Sequence, residues 1–433
     1  MHPVSSPIYF KMLKILLLSI SVGALVGLAY ASEVSQDPRL RLIQALSRSG
    51  QVFYAEVFTA ARVPPQKIWI DAEQGRGRVE SYYLEMLDGV TVVEDGKSLG
   101  LGQLARAFAL AKQSDHKEFY ISIAISPRAH EPWGSRPPRD QLPPAVQENP
   151  ALLLLPAVEY LFADDTWEPV EDPEASQRGW TVWRTEGQND YVLHRLPPGV
   201  PKPSLKRVHG TIYLDQDFLP KQVTIEEVIE GSQSRLSRYT FECKFLPRES
   251  LPPEHLSHAS LIRLHSEALT PYLNEARRQD FPAFWLGPVL WSSGLEEQRS
   301  QATGRTYPEL ALRYMSASEE GVFLTYESLL GGKSDVQVRT VPEARWEEFS
   351  RQRADMAWWT HPAVTREPIA VAGRPAKLAV RSYYGRTEAV VRTPGSMILI
   401  ETTPAHAAGQ DINPWNTEVA LRALIKHLDA ITK

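Results

Sequence analysis

Cysteine is nearly missing from this chain. Cys243 is the only one in 433 residues, so no intramolecular disulfide is possible and stability must come from packing. Long apolar runs are equally scarce. After residue 28 none reaches membrane length, so no further membrane-spanning helix is expected. No basic stripe is present either: 47 Lys and Arg stand against 52 Asp and Glu, a formal net charge of -5, and nucleic acid is not an expected partner. Walker A, Rossmann, H-E-x-x-H and EF-hand patterns are all absent. No cofactor and no metal are expected.

What is present begins with Lys11 and Lys14, then the apolar run Ile15 to Leu28, then Ala29-Tyr30-Ala31 before Ser32. This is the order of a secretory signal peptide, residues 1–31, with small residues flanking a cut after Ala31. The alternative is an uncleaved N-terminal anchor. Ser32 stands where a lipid-anchored bacterial precursor would carry cysteine, so no lipid anchor is expected. The expected address is outside the cytoplasm, periplasmic or extracellular. Cleavage removes two lysines and no acid, and the formal charge then moves from -5 to -7.

The remaining length is more than one core of ordinary size fills and predicts two or three domains. Leu40, Leu42, Ile43 and Leu46 recur at helical spacing, predicting a helix over Pro38–Ser49. Runs of β-branched and aromatic residues predict strands at Val52–Thr59, Lys67–Asp71, Gly77–Leu84 and Thr91–Glu94, with breaks at Pro64-Pro65, Gly75 and Asp88-Gly89. Leu104, Phe108 and Ala111 share one face of a helix over Gln103–Lys112. Eight prolines between Pro127 and Pro156 predict a long loop. A helical patch is expected over Ala151–Phe162. Further strands are expected at Gly179–Arg184, Asp190–His194, Gly210–Asp215, Lys221–Glu230 and Ser237–Leu246. In the last of these, Tyr239, Phe241, Cys243 and Phe245 alternate onto one face, making Cys243 a core-facing strand residue. Short connections require antiparallel pairing.

Beyond Pro252-Pro253 a helix over Glu254–Arg278 reads as a linker, residues 251–280, and a second, smaller α+β domain reads as residues 281–433. Its expected strands are Glu309–Tyr314, Val322–Tyr326, Asp335–Thr340, Lys377–Tyr383, Thr387–Arg392 and Ser396–Glu401, with a helix near Glu343–Trp358. A closing helix over Thr417–Ile431 carries a stripe of Leu421, Leu424, Ile425 and Leu428, with Asn416 offered as its cap.

Two stretches carry a resemblance. Lys67-Ile68-Trp69-Ile70-Asp71, Gly77-Arg78-Val79-Glu80 and Val93-Glu94-Asp95-Gly96 are similar to the opening of the bacterial periplasmic lipoprotein carriers. Gly210-Thr211-Ile212-Tyr213-Leu214-Asp215 followed by Leu219-Pro220-Lys221-Gln222-Val223 looks like a later hairpin of the same superfamily, which includes a periplasmic regulator of the envelope-stress response. The resemblance covers about residues 38–250. It implies, for residues 32–250, an α+β domain in which a curved antiparallel half-barrel sheet closes over helices around an apolar cavity for acyl chains. The proline-rich insertion departs from the compact carriers. The second half resembles C-terminal modules attached to such domains, on Phe284-Trp285-Leu286-Gly287 and the closing helix.

Three constellations bear chemistry. Gly96-Lys97-Ser98-Leu99-Gly100 matches the G-x-S-x-G nucleophile elbow, although no parallel βα alternation follows, and a turn at Asp95-Gly96 explains it equally. His255, His258 and His265 fall on one side of the expected linker helix, which reads as a solvated face lacking the second element that fixes a zinc site. Aromatics come third. Trp69, Tyr82 and Tyr213 are the expected ligand-binding residues, lining the cavity with Phe53 or Tyr54. Trp285, Trp291, Trp358 and Trp359 are expected in ordinary cores. The sequence thus reads as a noncatalytic exported protein of the cell envelope that binds lipid or lipoprotein acyl chains. An envelope-stress sensor working through contacts with an envelope membrane protein is the alternative, and a serine hydrolase using Ser98 a third.

Overall fold

The computed structural model describes residues 38–59, 64–112, 118–126, 144–155, 167–187, 205–229, 235–290, 310–328, 335–353, 358–383, 386–402 and 416–431. The leader, most of the proline-rich stretch, the strand expected at Asp190–His194 and Trp291 lie outside these residues. The fold is α+β with large antiparallel sheets.

The chain divides into two compact units that do not follow chain order. The first holds residues up to Ala61, Ile70–Gln74 and Gly134–Arg248; the second holds Arg62–Trp69, Gly75–Trp133 and Glu249–Lys433. The second unit is the larger, where the sequence reading made the C-terminal domain the smaller. A pairing explains why residues 75–133 belong with the C-terminal half. Strand Glu118–Tyr120 pairs with Leu310–Ser318, Phe119 opposite Met315, with both side chains fully buried.

In the first unit, strands Gln51–Phe58, Arg235–Pro247, Pro220–Ile229, Leu205–Leu214, Thr181–Gly187 and Glu168–Val170 follow one another antiparallel. Phe53, Ala55 and Val57 alternate with Val52 and Tyr54, and all five are buried, so both faces of the first strand are covered. Helix Pro38–Leu46 buries Leu42, Ile43 and Leu46, and the short 3-10 helix Pro150–Leu154 buries its whole length. Arg248 closes the unit by donating Nε and Nη2 to the two oxygens of Asp71, at 2.5 and 2.9 Å, and Nη2 to Glu73 at 2.6 Å.

In the second unit, Arg76–Tyr83, Met86–Glu94, Lys97–Gly102 and Ser122–Ser126 form an antiparallel meander. A nine-stranded antiparallel sheet runs Val289–Leu290, Leu310–Ser318, Gly321–Ser328, Asp335–Pro342, Ser396–Thr402, Arg386–Thr393, Arg374–Tyr383 and Glu367–Val371, with Glu118–Tyr120 added beside Leu310–Ser318. The helix His258–Arg277 is no linker. Its Leu261, His265, Ala268, Leu269, Tyr272, Leu273 and Ala276 recur every three or four residues and are buried in the core of this unit. The closing helix spans Glu418–Lys426, and its cap is Thr417, whose Oγ1 accepts from the Ala420 N–H at 3.1 Å, rather than Asn416.

Candidate functional site

The turn at Leu84-Glu85 is the least expected part of the described chain. Strands Arg76–Tyr83 and Met86–Glu94 form a hairpin, with Tyr83 opposite Met86, joined by Leu84 and Glu85 alone. Both linking residues have positive φ, 48° and 67°, as a primed two-residue hairpin turn requires. Such turns favour Asn-Gly, and a side chain held there costs on the order of 1 kcal/mol. Asp88 and Gly89, the expected turn, lie instead inside the second strand, beside a bulge between Ser81 and Tyr82.

The strained turn carries apolar side chains into solvent. Tyr83 is 61% exposed, Leu84 71% and Met86 42%, large hydrophobic positions grouped around one exposed glutamate. Single surface hydrophobics are ordinary; here three stand on one hairpin tip.

Below the tip the hairpin is held by buried polar groups. Tyr82 donates its hydroxyl to Glu80 Oε2 at 2.5 Å, and the Lys67 ammonium lies 5.1 Å from the centre of the Tyr82 ring. Arg78 donates Nε to the other oxygen of Glu80 at 2.7 Å. Its Nη1 donates to the His255 carbonyl at 3.1 Å and to Ser260 Oγ at 2.8 Å, tying the strand to the start of the long helix. The His255 ring meets Trp69 edge to face at 4.7 Å. Burial, reinforced by the Arg78 charge, pushes the His255 imidazole down to about 4, so it is neutral near pH 7. Both oxygens of Glu80 thus accept hydrogen bonds from the hairpin's own side chains. The cluster positions the hairpin.

Trp69 and Tyr82 therefore fall in this one cluster, Trp69 buried beneath and Tyr82 half-buried beside the tip. Tyr213 belongs to the first unit, where it meets Trp180 edge to face at 6.4 Å. Phe53, Tyr54 and Trp69 are already covered by the chain itself. An apolar pocket in the first unit, lined by Pro38, Arg39, Leu42, Trp167 and Ile212, holds about 10 Å³. That is roughly the room one water needs.

The other constellations disperse. Ser98 is buried in the strand Lys97–Gly102, after a turn at Asp95-Gly96 with φ 51° and 72°, and not at the strand-to-helix turn of a nucleophile elbow. His258 faces Glu94 at 3.8 Å, and His265 sits beneath Phe119 with Nε2 2.9 Å from the Leu312 carbonyl. The face expected to be solvated is thus largely core, and the three imidazoles occupy separate surroundings. No metal-binding group occurs among the described residues, nor a helix long and apolar enough to cross a membrane. Cys243 faces inward as expected, its thiol 3.3 Å from the Pro220 carbonyl and pushed up to about 12 by burial.

The sequence reading passed over Tyr83, Leu84 and Met86, because Tyr-Leu inside a β-rich run reads as continuing strand. The available signal was the loss of alternation at Tyr82-Tyr83-Leu84, three large apolar residues in succession.

No family model matches the chain, and neither does any curated protein. Among solved structures, an uncharacterized conserved protein from Thermus thermophilus is similar over 51% of this chain and 91% of its own length, at 14% identity and a TM-score of 0.28. A likeness that slight carries no argument.

Proposed function

We propose that this is an exported, noncatalytic protein of the cell envelope that engages lipid, at a bilayer surface or as lipoprotein acyl chains, through the apolar hairpin tip of its second unit. The observation that carries the reading is the exposure of Tyr83, Leu84 and Met86 on a turn that a polar sequence would form with less strain. The leader-like run at residues 15–28 supplies the compartment in which such a tip meets lipid. The resemblance to lipoprotein carriers points to the same class of ligand, although the surface tip, and not an internal cavity, makes the contact.

The energetics suit a reversible contact. Moving the exposed parts of three such side chains out of water contributes roughly 1–2 kcal/mol each. The sum, about 4 kcal/mol, enriches the protein on lipid by about a thousandfold, in the range of a single weak acyl anchor. Tyrosine at the edge of the tip suits the headgroup boundary, with an apolar ring and a polar hydroxyl.

Co-sedimentation with phosphatidylcholine vesicles tests the reading. Binding is expected for the native chain and a loss of about tenfold for Leu84→Asp, since a carboxylate does not enter hydrocarbon as an ion. Equal binding by both proteins, or none by either, would remove the tip from the function.

A further inference from the structure

The hairpin that ends in Leu84 and Glu85 carries six charged residues, Arg76, Arg78, Glu80, Glu85, Asp88 and Glu94. Four of them are matched within the hairpin: Arg76 pairs with Glu94 at 3.2 Å at its base, and Arg78 pairs with Glu80 at 2.7 Å inside it. Asp88 stands half-buried at the bulge below the turn, and Lys67, on the neighbouring strand Gln66–Asp71, lies 5.1 Å from the centre of the Tyr82 ring. These two are of opposite sign and offset each other when seen from beyond the tip. Glu85 is left.

Glu85 occupies the turn itself, between Leu84 and Met86, and it is exposed, with no ion pair or hydrogen bond among the described residues. The apolar tip thus ends in a single unmatched carboxylate. When Leu84 enters a bilayer, the adjacent carboxylate is carried as far as the headgroup layer and no deeper, because an ion does not enter hydrocarbon. At physiological salt, charges set back from the surface by more than about 8 Å are largely screened, so the net acidity of the rest of the chain counts for little there. The charge at the tip decides.

We propose that Glu85 sets the class of lipid the tip engages: bilayers of zwitterionic headgroups, whose outer end is an ammonium group, over bilayers of net negative charge. The proposal rests on the lipid reading given above and adds the choice of headgroup to it. An ammonium group is attracted by the Glu85 carboxylate, and Tyr83, 61% exposed, adds an aromatic ring of the kind that also attracts such cations. An anionic membrane surface holds about -30 to -50 mV, against which one negative charge lowers binding by about threefold to sevenfold. A positive charge in the same place raises it by as much.

Co-sedimentation of the exported full chain at ~0.15 M salt compares vesicles of phosphatidylcholine with vesicles in which about a third of the lipid is phosphatidylglycerol. The native chain is expected to bind phosphatidylcholine about threefold to sevenfold more tightly, and the difference to vanish at ~1 M salt, where the screening length falls to about 3 Å. Glu85→Gln keeps a side chain of the same shape at the same positive φ, so the melting temperature should hold while the two vesicles bind equally. Glu85→Lys should reverse the preference. Equal binding of the native chain to both vesicles, a preference for the anionic ones, or a preference that survives in Glu85→Gln overturns the proposal and leaves the lipid reading standing. Absence of binding to either vesicle removes the lipid reading, and the choice of headgroup with it.

Discussion

Leu84 and Glu85 occupy a turn that Asn-Gly would form with less strain. Replacing them together, Leu84→Asn with Glu85→Gly, puts residues that tolerate positive φ into the turn. The double variant should be more stable by about 1–2 kcal/mol and should bind vesicles less well, since it removes the most exposed apolar side chain. Chemical denaturation alongside co-sedimentation reads both quantities; lower stability, or unchanged binding, would break the link between strain and contact. His255 supports a second expectation at this scale. Its imidazole is depressed in the folded state, by burial first and then by Arg78, with Glu80 acting weakly in the opposite sense. Between its ordinary value of 6.5 and about 4, the unfolded chain takes up a proton that the folded chain refuses. The stability contribution is therefore complete above pH 6.5 and declines as the pH falls toward 4. His258 and His265 are depressed in the same direction, so His255→Gln should make the acid-side loss of melting temperature shallower without abolishing it. An identical pH slope in the variant would contradict this.

The elements differ in how far they could be read from the chain. Strands such as Gln51–Phe58 and Arg235–Pro247 were legible because alternation and β-branched residues reflect a local preference. The closing helix was legible because Leu421, Leu424, Ile425 and Leu428 form a stripe. The turn at Leu84 and Glu85 was not, since neither residue has turn chemistry and the nearby Asp88-Gly89 does. The role of the helix His258–Arg277 was hidden for another reason. Its partners, among them Phe119 and Leu312, come from distant parts of the chain, and no periodicity within the helix names them. A core helix makes a different prediction from a linker. Amides over Leu261–Ala276 should be among the slowest of the second unit to exchange, and limited proteolysis should leave this stretch intact. First cleavage within it would restore the linker reading.

The whole molecule combines a leader-like start, two compact antiparallel units interleaved in sequence, and one exposed apolar tip. The proposed contact with lipid depends on the tip being presented, and the Tyr82–Glu80–Arg78–Ser260 chain of hydrogen bonds ties that hairpin to the core of the second unit. The most direct measurement is spin-label accessibility at the tip. Cys243 is half-buried, and burial pushes its thiol up to about 12, so a nitroxide introduced through Leu84→Cys is placed in a Cys243→Ser background to keep position 84 the single label. On adding phosphatidylcholine vesicles, the label at position 84 should gain accessibility to oxygen and lose it to a water-soluble nickel complex. A label introduced through Glu174→Cys, at an exposed position of the first unit, should show no gain in oxygen accessibility. Unchanged accessibility at position 84 with vesicles in excess would contradict the account.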